Sequence, residues 1–302
     1  MNFVEEILRA FDQSLIISCW KYIFPVLVVL YLFIFLYDKH RYGGKAAKPP
    51  TTPNGAKEKL DGIEYVGEIE TGEFDPTPEL EEREHIPFAG AKVTLDKDPI
   101  KAANHFYEIV NDRRSVRKFS RRPVDVSVVE RCIHAAGTGP SGAHTEPWTF
   151  CLVSDPDMKL QVREIIEAEE FINYEQRMSK QWTTNLRPLK TNHVKEYLTE
   201  APHLILIFKQ TYGIKQDGGK KQHYYNEIST SIATGILLCA LQAAGLNTLV
   251  TTPLNCGPAL RNLLGRPLNE KLLVLLPVGY AADDCTVPDL KRKQVEDIIV
   301  KY

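Results

Sequence analysis

The loop at residues 137–148 restricts the possible folds more than any other stretch, because of what lies on each side of it. Apolar residues recur at helical spacing before the loop, and a short β-rich run, residues 149–153, follows it. Gly137, Gly139 and Gly142 match the G-x-G-x-x-G dinucleotide fingerprint, but that fingerprint needs a strand before it and a helix after it. The inverted order argues against a Rossmann fold. An active-site loop and an ordinary helix-to-strand connection both remain open.

Composition excludes several classes of function. The 302 residues are 43% hydrophobic, which is enough for one substantial core. The formal net charge of -2 provides no positive electrostatic potential that would attract nucleic acid. The six cysteines form no C-x-x-C pair, and the eight histidines form no H-E-x-x-H motif. We therefore expect no metal site, no nucleic-acid partner and a reducing compartment.

Residues 15–37 are apolar except for Lys21 and a few small polar residues. At ~1.5 Å per residue, a helix of this length reaches roughly 35 Å and can span a bilayer. A cleaved signal peptide is the competing interpretation, but acidic residues precede the segment and no A-x-A-like cleavage site follows it. The positive charges that follow, including Lys39 and Arg41, place the C-terminal side in the cytosol. We predict a single-pass anchor in the plasma membrane or a vesicle membrane.

The sequence predicts four regions: a short N-terminal segment at 1–14, the anchor at 15–37, a flexible tether at 38–85 and a folded domain at 86–302. The tether is rich in Pro, Gly and Thr, and residues 58–84 are strongly acidic. A spacer that holds the domain off an anionic membrane and a binding segment for a basic partner both fit this composition.

Within the folded domain, apolar periodicity predicts a series of elements. They are a helix that ends at Asn111, helices over 157–178, 191–198 and 225–244, a short helix at Gly257, and strands over 149–153, 204–208, 247–253 and 272–280. The helix over 225–244 is apolar around much of its circumference, which predicts burial or a dimer core. The insertion at about 157–199 can form a lid over a ligand or an ordinary surface helical hairpin.

Arg113, Arg114 and Arg117 fall within five residues of one another, with Ser115 between them. Such a cluster can form several charge-assisted hydrogen bonds to a phosphate. A solvated basic turn is the alternative, and the residues alone do not exclude it.

The arginine cluster, the Pro140-Ser141 loop that ends in Pro147-Trp148, the late Gly279-Tyr280 strand and the basic tail occur in the order typical of one group of proteins. Residues 86–302 thus resemble the nitroreductase-like flavoprotein superfamily. The resemblance implies an α+β fold with three α/β/α layers and a central mixed sheet. It also implies a homodimer that exchanges terminal segments and binds FMN at its interface.

A narrower set of motifs sharpens this resemblance. It includes Ser141-Gly-Ala-His-Thr-Glu-Pro-Trp, Ile172-Asn-Tyr, Tyr224-Tyr-Asn-Glu-Ile and Thr251-Thr-Pro-Leu-Asn-Cys. General superfamily members usually carry Asn and Gln at the positions of His144 and Glu146, whereas the narrower motifs closely resemble the iodotyrosine deiodinase family. That resemblance implies FMN-dependent reductive dehalogenation of 3-iodotyrosine and 3,5-diiodotyrosine to tyrosine and iodide. NADPH would be the ultimate electron donor, acting through a partner reductase.

The resemblance also implies roles for individual residues. The residues it implies for FMN binding are Arg113, Arg114, Ser115, Val116, Arg117, Pro140, Ser141, Gly142, Val250, Thr251, Thr252 and Arg292. Thr252 is expected to donate to the flavin N5 and so to favour one-electron steps. The backbone amide of Ala143 is expected to meet the substrate phenolate, which gives Ala143 and Thr252 the catalytic roles.

Three further residues are implied to hold the amino-acid end of the substrate. Glu170, Tyr174 and Lys195 would grip the ammonium and carboxylate groups of a zwitterion. Without the resemblance, Glu170 and Lys195 are ordinary surface charges. Two other functions stay open: an FMN-dependent nitro or quinone reductase, and a membrane-tethered flavin-binding protein without turnover.

Overall fold

The computed structural model describes residues 80–90, 93–215 and 218–302, together with Pro25 and Val28. The chain divides into two compact units, Met1–Gly72 and Glu73–Tyr302. Of the described residues, all except Pro25 and Val28 belong to the second unit. Apart from them, the predicted anchor at 15–37 lies outside the described residues, as does most of the tether. No helix of the described part of the chain is long and apolar enough to cross a membrane.

The second unit contains seven α-helices and six strands among its described residues. The helices are α1 (Pro99–Asn111), α2 (Val126–Ala136), α3 (Pro156–Ile172), α4 (Lys180–Leu186), α5 (Tyr197–Glu200), α6 (Asn226–Ala243) and α7 (Gly257–Leu263). The strands are β1 (Trp148–Val153), β2 (His203–Gln210), β3 (Tyr212–Ile214), β4 (Lys220–Gln222), β5 (Asn247–Thr248) and β6 (Glu270–Gly279). Short 3₁₀ turns occur at Gly142–His144, Arg187–Leu189 and Val295–Asp297, and a π-helical turn at Asn173–Arg177.

The main sheet has the strand order β1-β2-β6-β5, and its named strands pair antiparallel. A parallel bridge between Ser115 and Thr248 adds the arginine-cluster segment at the β5 edge, so the sheet is mixed. Strand β2 lies inside the sheet, and its first six residues are buried, as its continuous apolar run predicts. The strands β3 and β4 form a separate antiparallel hairpin.

Alternate residues of β2 point to opposite faces of the sheet, and each face carries its own apolar core. One core joins Ile205 and Ile207 to α2 and α6, through residues such as Val129 and Leu237. The other core joins three apolar side chains of β2 to α3, α5 and α7: Leu204, Leu206, Phe208, Val162, Ile166, Leu198 and Leu260. Helices therefore cover both faces of the sheet, which confirms the predicted layered α+β architecture.

Aspartates begin three of the helices. The side chains of Asp98, Asp125 and Asp155 accept hydrogen bonds from the first-turn amides of α1, α2 and α3. Such caps satisfy backbone donors that have no partner within the helix. The cap at Asp155 sets the start of α3, and Glu170 lies near the other end of that helix.

Two predicted helices differ from the structure. The segment predicted to be helical over 191–198 is helical only in α5, because Asn192 Oδ1 accepts from the amide of Val194 at 2.9 Å and Glu167 Oε1 accepts from the amide of Lys195 at 2.6 Å. These side-chain acceptors replace the helical backbone pattern. The helix predicted over 157–178 ends at Ile172 and continues as the π-helical turn.

Candidate active site

A cavity of about 640 Å³ lies beside the arginine cluster, with basic side chains on its walls. It is lined by the following residues: Asn111, Asp112, Arg113, Arg114, Ser115, Arg117, Leu189, Val287, Pro288, Leu290, Lys291 and Arg292. The C-terminal tail thus meets the 111–117 segment from a distant part of the chain. We call this space the arginine cavity.

Hydrogen bonds hold the two walls of the arginine cavity together. Arg292 donates to the carbonyl and side-chain oxygens of Asn111, each at 2.7 Å, and to the carbonyl of Arg113 at 3.0 Å. Arg114 donates to the carbonyl of Pro288. On the opposite side, the amide of Val116 donates to the carbonyl of Thr248 at 3.1 Å, which fixes the segment to the sheet.

Arg113 leaves a hydrogen-bond donor in the arginine cavity that an anion could accept. Within the described part of the chain, its Nη1 atom is buried and has no hydrogen-bond partner. Burial and then the charge of Arg292 lower the pKa of Arg113, so like charges crowd this site. A buried donor without a partner is unfavourable, and a phosphate dianion would satisfy it.

A second cavity, of about 190 Å³, lies between the 157–199 insertion and the segment after β5. Its lining includes the three residues expected to hold the amino-acid end of the substrate, part of the expected flavin-binding set and several apolar side chains: Arg117, Ile166, Glu170, Tyr174, Met178, Trp182, Leu186, Thr191, Lys195, Tyr197, Leu249, Val250, Thr251, Thr252, Pro253 and Leu254. Arg117 lines both cavities, so the two are neighbours. We call the second space the clamp cavity.

Glu170 and Lys195 form a buried ion pair in the clamp cavity. Lys195 Nζ lies 3.3 Å from Glu170 Oε2, and the two side chains are only 8% and 10% exposed. The ammonium also donates to the carbonyl of Asn192 and lies 5.4 Å from the ring centre of Tyr174. A negative and a positive group therefore stand side by side next to an aromatic ring, and each could exchange its present partner for one end of a zwitterion.

The phenols of the clamp cavity stay protonated over a wide pH range. Burial, and then the negative charge of Glu170, raise the pKa of Tyr197. Burial raises the pKa of Tyr174 as well, while a hydrogen bond to Thr191 opposes the shift. At neutral pH these groups add no negative charge that would compete with Glu170 for an ammonium group.

The loop with Pro140, Ser141, Gly142 and Ala143 lies elsewhere and lines neither of these cavities. It precedes β1, whereas Thr251 lies at the other side of the sheet. Thr251 pairs with Leu275, Leu275 with Leu206, and Leu206 with Cys151. Three strand spacings of about 4.8 Å separate Thr251 from β1, a distance of roughly 14 Å.

The loop has an unusual backbone. Ala143, His144 and Glu146 have φ values of 47°, 52° and 45°, in the left-handed region that is strained for residues other than glycine. The Ser141 hydroxyl accepts from the amide of Glu146 at 3.0 Å and closes the turn. The amides of His144 and Thr145 donate the hydrogen bonds of the 3₁₀ turn. The amide of Ala143, an exposed residue, is not a donor in this turn.

Known proteins share this fold and sequence. The nitroreductase family matches residues 110–280. Iodotyrosine deiodinase of Drosophila melanogaster is 53% identical over 293 residues, which cover 96% of this chain and 98% of the relative. Iodotyrosine deiodinase 1 of Homo sapiens is 51% identical over 278 residues, covering 91% and 96% of the two chains. This chain belongs to the iodotyrosine deiodinases of the nitroreductase family.

A solved structure agrees with this family membership. The crystal structure of an oxidized iodotyrosine deiodinase bound to FMN and 3-iodo-L-tyrosine matches with a TM-score of 0.55 and 30% identity. The match covers 65% of this chain and 98% of that chain. The fold and sequence of this deiodinase-family chain thus agree with the expectation drawn from its motifs.

Three residues of the site were missed at the level of sequence. Asn111 anchors Arg292, Tyr197 lines the clamp cavity, and Asn173 is fully buried against Glu170. Asn173 carried a usable signal, because it lies three residues after Glu170 on the predicted helix and so faces the same side. Tyr197 had no comparable signal, since its position depends on where α5 packs.

Proposed function

We propose that this chain catalyses the FMN-dependent reductive deiodination of 3-iodotyrosine and 3,5-diiodotyrosine to tyrosine and iodide. The observation that carries this assignment is the buried pair Glu170–Lys195 in a cavity that also contains Thr252. Each turnover replaces a carbon–iodine bond with a carbon–hydrogen bond, consuming two electrons and one proton and releasing iodide. The relatives, which are iodotyrosine deiodinases with matching coverage, support the same conclusion.

FMN fits the arginine cavity. Arg113, Arg114, Arg117 and Arg292 would hold its phosphate, and the unpartnered Nη1 of Arg113 supplies a donor that needs such an acceptor. Ser115 and Val116 lie on the same segment, while Val250, Thr251 and Thr252 line the adjoining clamp cavity. When bound, FMN supplies the electrons for the reaction, and the protein supplies position and charge.

The clamp cavity orients the substrate. Glu170 would take the substrate ammonium and Lys195 its carboxylate, with Tyr174 beside both groups. The Thr252 hydroxyl would donate to the flavin N5. Trp182, Met178 and Leu186, all from the 157–199 insertion, would exclude water from the halogenated ring. A bound zwitterion therefore holds the ring in one register while a proton enters at the carbon that carries iodine.

The Pro140–Ala143 segment would act from a second copy of the chain. Within one chain this segment lines neither cavity and precedes β1, which is three strand spacings from Thr251 across the sheet, so the predicted site is incomplete in a single chain. Exposed apolar side chains suited to a dimer interface occur on α1, on α6 and in the tail: Phe106, Ile228, Ile232, Ile298, Ile299 and Val300. In a homodimer, the Ala143 amide would stabilise the negative charge on the substrate phenolate.

The remaining proposals concern the cellular setting. Residues 15–37 would anchor the chain in the plasma membrane or a vesicle membrane, with the catalytic domain on the cytosolic side. A separate reductase would deliver electrons from NADPH. The acidic tether is proposed as the spacer between anchor and domain.

The decisive experiment uses the full chain purified with FMN. Anaerobic reduction by dithionite, followed by addition of diiodotyrosine, should reoxidise the flavin and release one iodide per two electrons. 2-Iodophenol, which lacks the ammonium and carboxylate, should react at least tenfold less efficiently because it cannot use the clamp. Absence of iodide release from diiodotyrosine would refute the assignment.

The rival function, nitro or quinone reduction, predicts the reverse preference. A site for apolar aromatics has no use for a buried ion pair such as Glu170–Lys195, because burying both charges carries a desolvation cost. A nitroarene that oxidises the reduced flavin faster than diiodotyrosine would favour the rival.

A further inference from the structure

Asn173 lies between Glu170 and the segment that follows Thr252. It is the first residue of the π-helical turn that follows α3, and its exposed fraction is 0%. π-Helical turns occur frequently at functional sites, because they redirect a side chain that a regular helix would point elsewhere. Asn173 does not line the clamp cavity, so a role in substrate contact does not account for its burial.

The side-chain amide of Asn173 uses its full hydrogen-bonding capacity. Its Nδ2 donates to Glu170 Oε1 at 3.3 Å and to the carbonyl of Leu254 at 3.2 Å. Its Oδ1 accepts from Arg177 Nη1 at 3.0 Å and from Asn255 Nδ2 at 3.3 Å. An amide offers two donors and two acceptor lone pairs, and here all four are used. A fully satisfied buried network of this kind fixes the geometry of its members.

These bonds reach two different elements. On one side is the clamp carboxylate of Glu170, whose other oxygen faces Lys195 at 3.3 Å. On the other side is the segment that follows Thr252, where the carbonyl of Leu254 and the side chain of Asn255 are both held. Asn255 has a φ of 64°, a left-handed conformation that asparagine tolerates better than most residues. The segment therefore has a defined turn that Asn173 fastens to the clamp.

We infer that Asn173 is a positioning residue that couples occupation of the amino-acid clamp to the placement of Thr252 against the flavin. Asn173 holds Glu170 Oε1, so Glu170 Oε2 is the oxygen available for a ligand ammonium. A ligand ammonium that takes the place of the Lys195 ammonium bonds to the carboxylate that Asn173 holds, so a shift of that carboxylate reaches the Asn173 amide directly. The same amide restrains Leu254, two residues after Thr252. This inference rests on the proposed function.

The test compares three variants of the full FMN-loaded chain with the wild type. Asn173→Asp keeps the two acceptor contacts but loses both donors, and Asn173→Ala loses donors and acceptors without adding charge. Effects shared by both variants arise from the lost donors. Arg177→Gln is the matched control, because it removes one partner of Asn173 Oδ1 and leaves both donor bonds in place.

The FMN dissociation constant of each protein is measured as a reference. Two further quantities are measured with 3-fluoro-L-tyrosine, whose carbon–fluorine bond resists reductive cleavage. The first is its dissociation constant, followed through flavin absorbance. The second is the shift in the FMN midpoint potential that saturating ligand causes. In both Asn173 variants the dissociation constant should rise about tenfold, as for a lost bond to a charged group, and the shift should fall by half or more. The Arg177→Gln protein should match the wild type.

Each outcome decides a specific point. A full ligand-induced shift in the Asn173 variants at saturation would overturn the coupling, because Asn173 would then orient Glu170 alone. Equal loss of FMN affinity and ligand affinity would also overturn it, since that pattern marks a general structural role. If the wild type binds fluorotyrosine without any potential shift, the coupling fails and the deiodinase function stands. If the wild type does not bind fluorotyrosine, the proposed function itself fails.

Discussion

The arginine cavity and the clamp cavity are neighbours that use charge in opposite ways. In the arginine cavity, like charges crowd together, and Arg113 keeps a buried donor without a partner in the described part of the chain. In the clamp cavity, Glu170 and Lys195 neutralise each other at 3.3 Å. One site is therefore incomplete without an anion, whereas the other is satisfied when empty.

This difference has consequences for binding and selectivity. A phosphate relieves repulsion in the arginine cavity, so charge favours tight retention of the cofactor. A ligand in the clamp cavity must replace an existing ion pair, and only a molecule with both an ammonium and a carboxylate can compensate both buried charges. The clamp should thus reject simple phenols, while the arginine cavity should favour any suitably shaped phosphate ester.

The largest expected effect comes from breaking the clamp. Glu170→Gln leaves Lys195 buried without its partner, so the apo chain should lose about 3 kcal/mol of unfolding free energy. The double variant Glu170→Gln with Lys195→Met should recover most of that loss. Both proteins should bind halotyrosine poorly, and denaturant unfolding with ligand titration measures the two effects separately. A double variant no more stable than the single one would contradict the ion-pair argument.

The opposite result is expected in the arginine cavity. Arg113→Ala should weaken FMN binding by roughly 30-fold, as for loss of hydrogen bonds to a charged group. The apo chain should unfold no more easily than the wild type, because the change removes a like charge. Flavin fluorescence titration and denaturant unfolding measure these quantities. Arg122→Ala is the control, since Arg122 contacts the Tyr280 ring outside the cavity. A comparable loss of FMN affinity in Arg122→Ala would contradict a specific role of Arg113 in binding FMN.

A smaller effect, on the rate of iodide release, is expected from Thr252 in the clamp cavity. Thr252→Ala should slow iodide release by about fivefold, the value of one hydrogen bond of about 1 kcal/mol, with FMN affinity unchanged. Thr252→Ser keeps the hydroxyl and should restore the rate. Single-turnover measurement of iodide after anaerobic reduction separates this step from binding. Equal rates in the Ala and Ser variants would exclude the hydroxyl from the reaction.

Much of the fold followed from apolar patterning, since the continuous run in β2 and the periodicity of α2 and α6 depend on local sequence. The arginine cluster was also recognisable, because its residues are adjacent in the chain. By contrast, the break of the helix predicted over 191–198 depends on Glu167, a residue far away in sequence that accepts from the Lys195 amide. The burial of Asn173 and Tyr197 likewise depends on tertiary packing.

The Pro140–Ala143 loop shows a different limit. Its motif indicated an active site, and within one chain it lies at the far side of the sheet from Thr251. Gly142 was expected to serve a flavin, but a Cβ there would meet the carbonyl of Tyr224 at 2.9 Å, so this glycine is already required by packing. Residue types report that a loop is constrained, and they do not report which contact imposes the constraint.

The smallest effect concerns the neutral phenols around the clamp. Burial raises the pKa of Tyr197, so the folded chain keeps this proton at a pH where the unfolded chain, with a pKa near 10, loses it. The stabilisation is complete below pH 10 and declines above it, by about 0.8 kcal/mol at pH 10.5. Tyr197→Phe cannot ionise, so its stability should fall less between pH 8 and pH 10.5. If the pH profiles of unfolding free energy of the wild type and Tyr197→Phe run parallel, Tyr197 does not lie in the buried environment of the clamp.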